Sequence, residues 1–412
     1  MKGVLDLNCC VQGYAWGKVG SSSKVAQLAG AYDGITTNET DSYAELWMGT
    51  HPKGPATIKG TGQKLNEWLA ENKWALSYSI AEKYGDLPYL FKVLSIQKAL
   101  SIQAHPNKEL GAILRKNNPD NYPDSNHKPE MCIALTEFAG LMGFRPLTEI
   151  VDVLANVPEL RAIVGEEQSA KLKEAVDADP ANAVEAGVSK NLTQQQEALK
   201  ACYIQLMEAS DSAVTDALAK LIPRLEAKTS RDRVEDLILT VNQDFPNDIG
   251  LFSLYFLNYV QLGPGESMFM AANEPHAYLT GDCIECMACS DNVVRAGLTP
   301  KFKDVSTLTE MLTYTYGPGQ SKVLAGTTVN GNYRIFDPPI EEFTLAKVDV
   351  NAGSSYDLPV VDGPSLILVT TGAGSTGDIN ITPGTTLFLA AGMPLTLSAT
   401  EKMTAYRAYC TL

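Results

Sequence analysis

Histidine is scarce in this chain, with four residues in 412. A surface that senses pH through many imidazoles is therefore excluded, and any role for histidine rests on a few positions. Basic charge is also in short supply: 33 Lys and Arg stand against 48 Asp and Glu, for a formal net charge of -15. Nucleic acid and anionic membrane both need a basic face, so neither is an expected partner. An anionic small molecule would need a few cations placed locally. No apolar run approaches the roughly 20 residues of a membrane span. The start, Met1-Lys2-Gly3-Val4-Leu5-Asp6-Leu7, holds no apolar stretch long enough for a signal peptide. A soluble, cytoplasmic protein is expected, in which sequons such as Asn191-Leu192-Thr193 are chance matches. Eight cysteines, two of them adjacent at Cys9-Cys10, do not resemble a secreted disulfide framework, so reduced thiols are expected. Cys283, Cys286 and Cys289 invite a metal-cluster reading, but alternation along a strand turns Cys286 away from the other two. Ordinary buried thiols are expected there.

Three of the four histidines stand in segments with other potential ligands: Gln103-Ala104-His105, His127-Lys128-Pro129-Glu130 and Glu274-Pro275-His276. The segment from Pro264 to His276 also recurs from Pro383 to Leu395. Pro, Gly, Phe, an Ala pair and a second Pro return in register, while Leu395 takes the position of His276. Two copies of one β unit follow, and only the first can hold a metal.

A chain of this length predicts two or three packed units. Through about residue 145, short apolar runs such as Leu87 to Ile96 alternate with Gly, Pro and Asn, which predicts an antiparallel sandwich or barrel. Between about 147 and 245 Ala, Glu, Lys, Gln and Leu dominate. Val214, Leu218, Leu221 and Leu225 recur with the spacing of one helix face. Thr193 followed by Gln196 resembles a capping box, and Pro158, Pro180 and Pro223 punctuate the segment, so a helical domain is inserted here. Leu251 to Leu262 is an apolar run of undecided type. β texture returns from Gly263, a short helix is expected near Ser306 to Thr313, and a second, histidine-free β unit closes the chain.

Gln103 and His105 at i and i+2 project from one face of a strand toward a common point. With Glu130 and His276 they offer two neutral imidazoles, one amide oxygen and one carboxylate, a donor set that leaves an open position on a divalent ion. Zinc is the preferred metal, although nitrogen and oxygen ligands also admit manganese, cobalt or iron. Downstream, Arg295 and Lys301 in the stretch Asp291 to Lys303 supply cations for an anion or a developing oxyanion; the alternative is a solvated loop with surface ion pairs.

Ser101 to Pro106, Asp124 to Glu130, Asn273 to Leu279 and Ser290 to Lys301, together with Gln12 to Gly17 and Tyr43 to Pro52, resemble type I mannose-6-phosphate isomerases. The resemblance runs in order from the first strand through Lys301. Beyond that the C-terminal part, like the helical insert, matches in texture only. It implies a mainly β chain: a cupin-type jelly roll over residues 1–146 and 250–319, a helical insertion over 147–249, and a metal-free jelly roll over 320–412. It also implies one zinc ion per chain, held by Gln103, His105, Glu130 and His276, and a catalytic Arg295. The implied reaction is the reversible interconversion of mannose 6-phosphate and fructose 6-phosphate, feeding mannose toward GDP-mannose and glycosylation, in a monomeric chain.

Moving a carbonyl between C1 and C2 builds charge on oxygen as an enediolate forms, and a metal and a guanidinium aimed there stabilise it. Glu285 and Lys128 are candidates for the proton carrier, with Glu285 ahead; Lys128 instead has the option of pairing with Glu130 or the phosphate. Lys301, Ser101 and Arg295 are candidate phosphate contacts. Trp16, Glu45, Tyr278 and Asp291 are candidate pocket residues, and His51 and His127 are open between pocket wall and structural hydrogen bonding. Two other classes remain open: an iron-dependent oxygenase on the same barrel, and a sugar-binding protein without turnover. Paired phosphate-directed cations weigh against both.

Overall fold

Tyr89–Ile96 is buried along its whole length, which a strand achieves only when both of its faces are covered. The computed structural model, which describes residues 3–412, shows the two covers. Tyr89, Phe91 and Val93 face a core shared with Leu345, Leu366 and Phe388 of the C-terminal unit. Leu94 and Ile96 face a separate interior with Cys132, Met268 and Tyr278. Met1 and Lys2 of the N-terminal heptapeptide lie outside the described residues.

The expectation of a mainly β chain is corrected: helices and strands share it about equally, and it is mixed α/β, with large antiparallel sheets and a helical insertion. One sheet of ten strands runs in the order Leu257–Leu262, Phe138–Phe144, His276–Ala288, Tyr89–Ile96, Glu45–Met48, Cys10–Gln12, with Glu130–Ala134, Ser267–Met270, Ile102–Ala104 and Val294–Gly297 paired off this path. His276–Ala288 is its spine, pairing with four neighbours. Gly281 bends it: φ is +112°, and a Cβ there would lie 2.6 Å from the Glu137 carbonyl oxygen, so only glycine fits. The register against Phe138–Phe144 slips just before this glycine, between Tyr278 and Thr280, and a slip of one residue exchanges the faces of a strand. Tyr278 and Cys283, five residues apart, consequently line the same interior. Cys286 falls in the other core, and all eight cysteines are free.

A second sheet of eight strands and a smaller one of four form the C-terminal unit. Here the structure departs from a boundary that assigns residues 1–146 to the first barrel. Val4–Asn8 pairs with Thr386–Leu389 and with Thr57–Ile58, so both N-terminal strands belong to the C-terminal sheet. Val4 fills the core of that unit, and Leu7 fills the core between the two. A strand's alternation says which residues it buries but not which partner buries them.

The repeated segment adopts one conformation twice. Ser267–Met270 and Thr386–Leu389 are strands at equivalent offsets, preceded by Gly265 (φ +87°) and Gly384 (φ +95°) and followed by Asn273 (φ +62°) and Gly392 (φ +70°).

The helical insertion holds Leu147–Asn156, Pro158–Val164, Glu166–Ala178, Gln194–Met207, Asp211–Glu226 and Arg233–Asp244. Val214, Leu218, Leu221 and Leu225 are all buried, and Thr193 with Gln196 forms a full capping box. Pro158 opens its helix, but Pro223 lies inside Asp211–Glu226 near its end. Gly250–Ser253 is a helical turn leading into Leu257–Leu262, which resolves the undecided run, and the short helix is Val305–Met311. Four short helices in the first part went unread: Lys24–Ala29, Leu65–Glu71, Tyr78–Lys83 and Lys108–Asn117. None exceeds ten residues, too few turns for periodicity to outweigh the turn residues around them. No helix among the described residues is long and apolar enough to cross a membrane.

Candidate metal centre and active site

The His276–Ala288 spine, the Ile102–Ala104 strand and the Val294–Gly297 strand set three side chains in one row, because His276 is paired with Gln103 and Gln103 with Arg295. Directly opposed residues of antiparallel neighbours point to the same face. His105 follows the Ile102–Ala104 strand, and Glu130 opens the neighbouring Glu130–Ala134 strand. His105, Glu130 and His276 are each at most 2 % exposed. Both imidazoles point at the one carboxylate: His105 Nε2 lies 3.4 Å from Glu130 Oε1, and His276 Nε2 lies 3.4 Å from Glu130 Oε2.

Backbone carbonyls determine which ring nitrogen is free. His105 Nδ1 is 2.7 Å from the Asn292 oxygen, and His276 Nδ1 is 3.0 Å from the Glu274 oxygen. A carbonyl only accepts, so each Nδ1 carries the proton and each Nε2 presents a lone pair. Those two Nε2 atoms are buried without any hydrogen-bond partner. Orphaned buried acceptors are costly, and three ligand atoms within 4.8 Å of one another are what a single cation would satisfy. Burial pushes the His105 imidazole down to about 4, keeping it neutral and able to coordinate. Burial opposes ionisation of Glu130 as well, but the neighbouring Lys128 ammonium outweighs it and holds the carboxyl well below its usual range. Lys128 Nζ bonds Glu130 Oε1 at 2.9 Å.

A second charged group lies on the same inner surface. Lys92 Nζ donates to Glu285 Oε2 at 3.0 Å and lies 3.5 Å from Glu45 Oε2. Trp47 Nε1 also donates to Glu45. Glu285 has its pKa raised by burial and by the neighbouring Glu130 and Glu45, against the pull of Lys92. Burial works against the Lys92 ammonium, yet these carboxylates keep it firmly protonated. Glu45, Glu130 and Glu285 thus face two ammonium groups, Lys92 and Lys128, an excess of one negative charge that favours a divalent cation. Sequence reasoning passed over Lys92. Its signal was a lone charge in an otherwise apolar run, at the parity of Leu90, Leu94 and Ile96.

Arg295 is half-buried and its guanidinium makes no hydrogen bond or ion pair among the described residues; burial lowers its pKa. Tyr278 is buried with an unpartnered hydroxyl. Asp291 is held ionised, well below the usual range, chiefly by hydrogen bonding from His51, and it bonds Lys53 at 2.7 Å. His51 Nε2 lies 3.5 Å from Asp291, and His127 Nε2 lies 2.7 Å from Glu342, so both histidines engage carboxylates. Other candidates stand apart. Lys301 is exposed without a side-chain partner, Ser101 touches only Gln103 at 3.4 Å, and Trp16 stacks on Tyr14.

Known proteins resemble this chain in sequence and fold. The family descriptions "Phosphomannose isomerase type I, catalytic domain", "helical insertion domain" and "C-terminal" match residues 4–147, 163–257 and 335–377. A mannose-6-phosphate isomerase of Rattus norvegicus is 47% identical over 84% of this chain and 82% of its own length. That of Schizosaccharomyces pombe is 43% identical over 98% and 99%. A crystal structure of a mannose 6-phosphate isomerase with zinc bound covers both chains fully, with a TM-score of 0.83 at 31% identity. A Salmonella typhimurium structure with substrate fructose 6-phosphate and zinc aligns equally well.

Proposed function

The chain belongs to the type I phosphomannose isomerase family, and on that premise we propose how its residues divide the work of the reaction. It interconverts mannose 6-phosphate and fructose 6-phosphate, with zinc as cofactor. His105, Glu130, His276 and Gln103 would hold that ion; the orphaned Nε2 atoms support the first three, and the row shared with His276 supports Gln103. Bound zinc supplies a fixed positive charge that favours the anionic form of the sugar's C1 and C2 oxygens.

Arg295 takes the remaining charge. An unpaired, half-buried guanidinium is available to oxyanions without first breaking an ion pair, and its planar fork suits two oxygens. Glu285 carries the proton, removing it from C2 of the open-chain aldose and returning it to C1, while a proton passes from the C2 hydroxyl to the C1 oxygen. Its raised pKa supports this, since a base works best when tuned toward the working pH. Lys128 stays tied to Glu130 and is the second choice as carrier. Lys301, exposed and without a side-chain partner, and Ser101, which touches Gln103, serve the phosphate. Trp16, Glu45, Tyr278 and Asp291 line the pocket. Residues 1–146 with 250–319, 147–249 and 320–412 are the working units, allowing for the exchanged first strand. A cytoplasmic monomer supplying mannose for GDP-mannose is consistent with eight free cysteines.

The observation that carries this reading is the pair of buried, partnerless imidazole nitrogens converging on Glu130 beside an unpaired arginine. A coupled assay of fructose 6-phosphate formed from mannose 6-phosphate, before and after exhaustive chelation, tests it. Activity should vanish with the metal and return with zinc; turnover indifferent to chelation, or restored only by iron with oxygen uptake, overturns it.

A further inference from the structure

Asp124 lies on the exposed-to-buried margin of the loop that precedes Lys128 and Glu130, and its carboxylate gathers a turn more than 160 residues away. Oδ1 accepts from the Ser290 hydroxyl at 2.8 Å, from the Asn126 N–H at 2.9 Å and from the Asn292 amide at 3.2 Å. Oδ2 accepts from the Asp291 N–H at 2.7 Å, and the Asp124 carbonyl accepts from the Asn292 amide at 2.8 Å. Asn292 is fully buried, and the same amide donates to the Asn126 carbonyl at 3.0 Å. Its own carbonyl is the group that accepts the His105 Nδ1 proton.

Three segments meet here: the loop leading to Lys128 and Glu130, the turn carrying Asp291 and leading to Arg295, and the strand end carrying His105. We propose that Asp124 is a positioning residue of the metal centre: by fixing the Ser290–Asn292 turn, it holds the Asn292 carbonyl where it sets the tautomer and ring orientation of His105. The physical reason is geometric. A turn without regular strand pairing has no ladder to hold a carbonyl in place, and four hydrogen bonds accepted by one residue from that turn supply the constraint. Outer groups that orient a coordinating imidazole typically change metal affinity by about 10- to 100-fold. The proposal rests on His105 being a metal ligand, so its test includes one readout that needs no metal.

The experiment compares the full-length protein with Asp124→Ala and Asp124→Asn. Zinc affinity is measured by competition with a chromogenic chelator, and the ring N–H protons of His105 and His276 are followed by NMR in metal-free protein. The expected result is a loss of about tenfold or more in zinc affinity, with the His105 Nδ1–H resonance lost to solvent exchange. The His276 resonance, bonded to the Glu274 carbonyl, should persist. Unchanged zinc affinity with both resonances intact overturns the proposal, and loss of both resonances overturns it too, because it marks general loosening. A lost His105 resonance with unchanged zinc affinity also overturns it, because the turn would then orient the ring without consequence for the metal. Should both Asp124 variants fail to fold, Asn292→Ala, which removes the anchored amide but keeps the carbonyl, replaces them, with the same outcomes deciding.

Discussion

Replacing Arg295 by alanine separates catalysis from folding and from metal binding. The guanidinium has no hydrogen-bond or ion-pair partner among the described residues, and its burial already disfavours the charge. Removing it therefore breaks no native polar contact, and the unfolding free energy should change by no more than about 0.5 kcal/mol. Zinc content should stay at one ion per chain, because the ligand residues converge from other strands. Turnover is another matter. One donor withdrawn from a preorganised oxyanion site typically costs about 3 to 4 kcal/mol of barrier, which at about 1.4 kcal/mol per decade lowers kcat by roughly a hundred- to a thousandfold. Arg295→Lys should recover part of this, since it restores the charge but not the fork. The assay is steady-state kinetics in both directions, with zinc quantified on the same sample. Turnover within threefold of the parent would remove arginine from the mechanism; a parallel loss of zinc would recast it as a metal-site residue.

The metal-free protein should lose stability in acid. Burial pushes the His105 imidazole from an ordinary 6.5 down to about 4, so the unfolded chain binds this proton where the folded chain does not. The contribution is complete above pH 6.5 and is lost as pH falls toward 4, by up to about 3 kcal/mol; denaturant titrations across that window should show the slope, and His105→Asn should flatten it. Gly281→Ala forces a Cβ to 2.6 Å from the Glu137 oxygen at a φ of +112°. It should cost at least about 2 kcal/mol by thermal unfolding and reduce activity by misaligning Tyr278 and Glu285, whereas an unaltered melting point would mean the bend is dispensable. Asp248 accepts the N–H groups of Gly250, Leu298 and Thr299 at 2.7, 2.7 and 3.1 Å, fixing the turn before Lys301. Asp248→Ala should raise KM for the sugar phosphate by about tenfold with a smaller change in kcat; the reverse pattern would detach this turn from phosphate binding.

The metal-centre residues were legible because each sits beside residues that constrain it locally: Gln103 two before His105, Pro129 before Glu130, Pro275 before His276. The helical insertion was legible for a similar reason, since Val214 through Leu225 repeat within one helix and Thr193 caps its own first turn. What escaped depended on partners distant in the chain. Val4–Asn8 carries an ordinary strand pattern, and nothing local selects Thr386–Leu389 as its neighbour. The inward placement of both Tyr278 and Glu285 is invisible to strict alternation, which would put residues seven apart on opposite faces; only the slip between Tyr278 and Thr280 brings them together. Lys92 escaped because a buried ammonium is tolerable only with the carboxylates of Glu285 and Glu45 around it, and those come from two other strands.

The repeated turn-strand-turn shows why the same local chemistry yields one metal centre and not two. Both copies share the left-handed residues that set the turn, Asn273 in one and Gly392 in the other. The first copy delivers His276 at the start of a strand paired with Gln103, where a carboxylate and a second imidazole also arrive. The second delivers Leu395 into a core of Leu387, Leu389 and Leu397. An imidazole among those leucines would have neither a carboxylate nor a second imidazole with which to share a cation, so its free ring nitrogen would be a buried polar group without compensation. Leucine at that position stabilises the unit that completes the sheet for Val4–Asn8, and the first barrel is left to carry the chemistry.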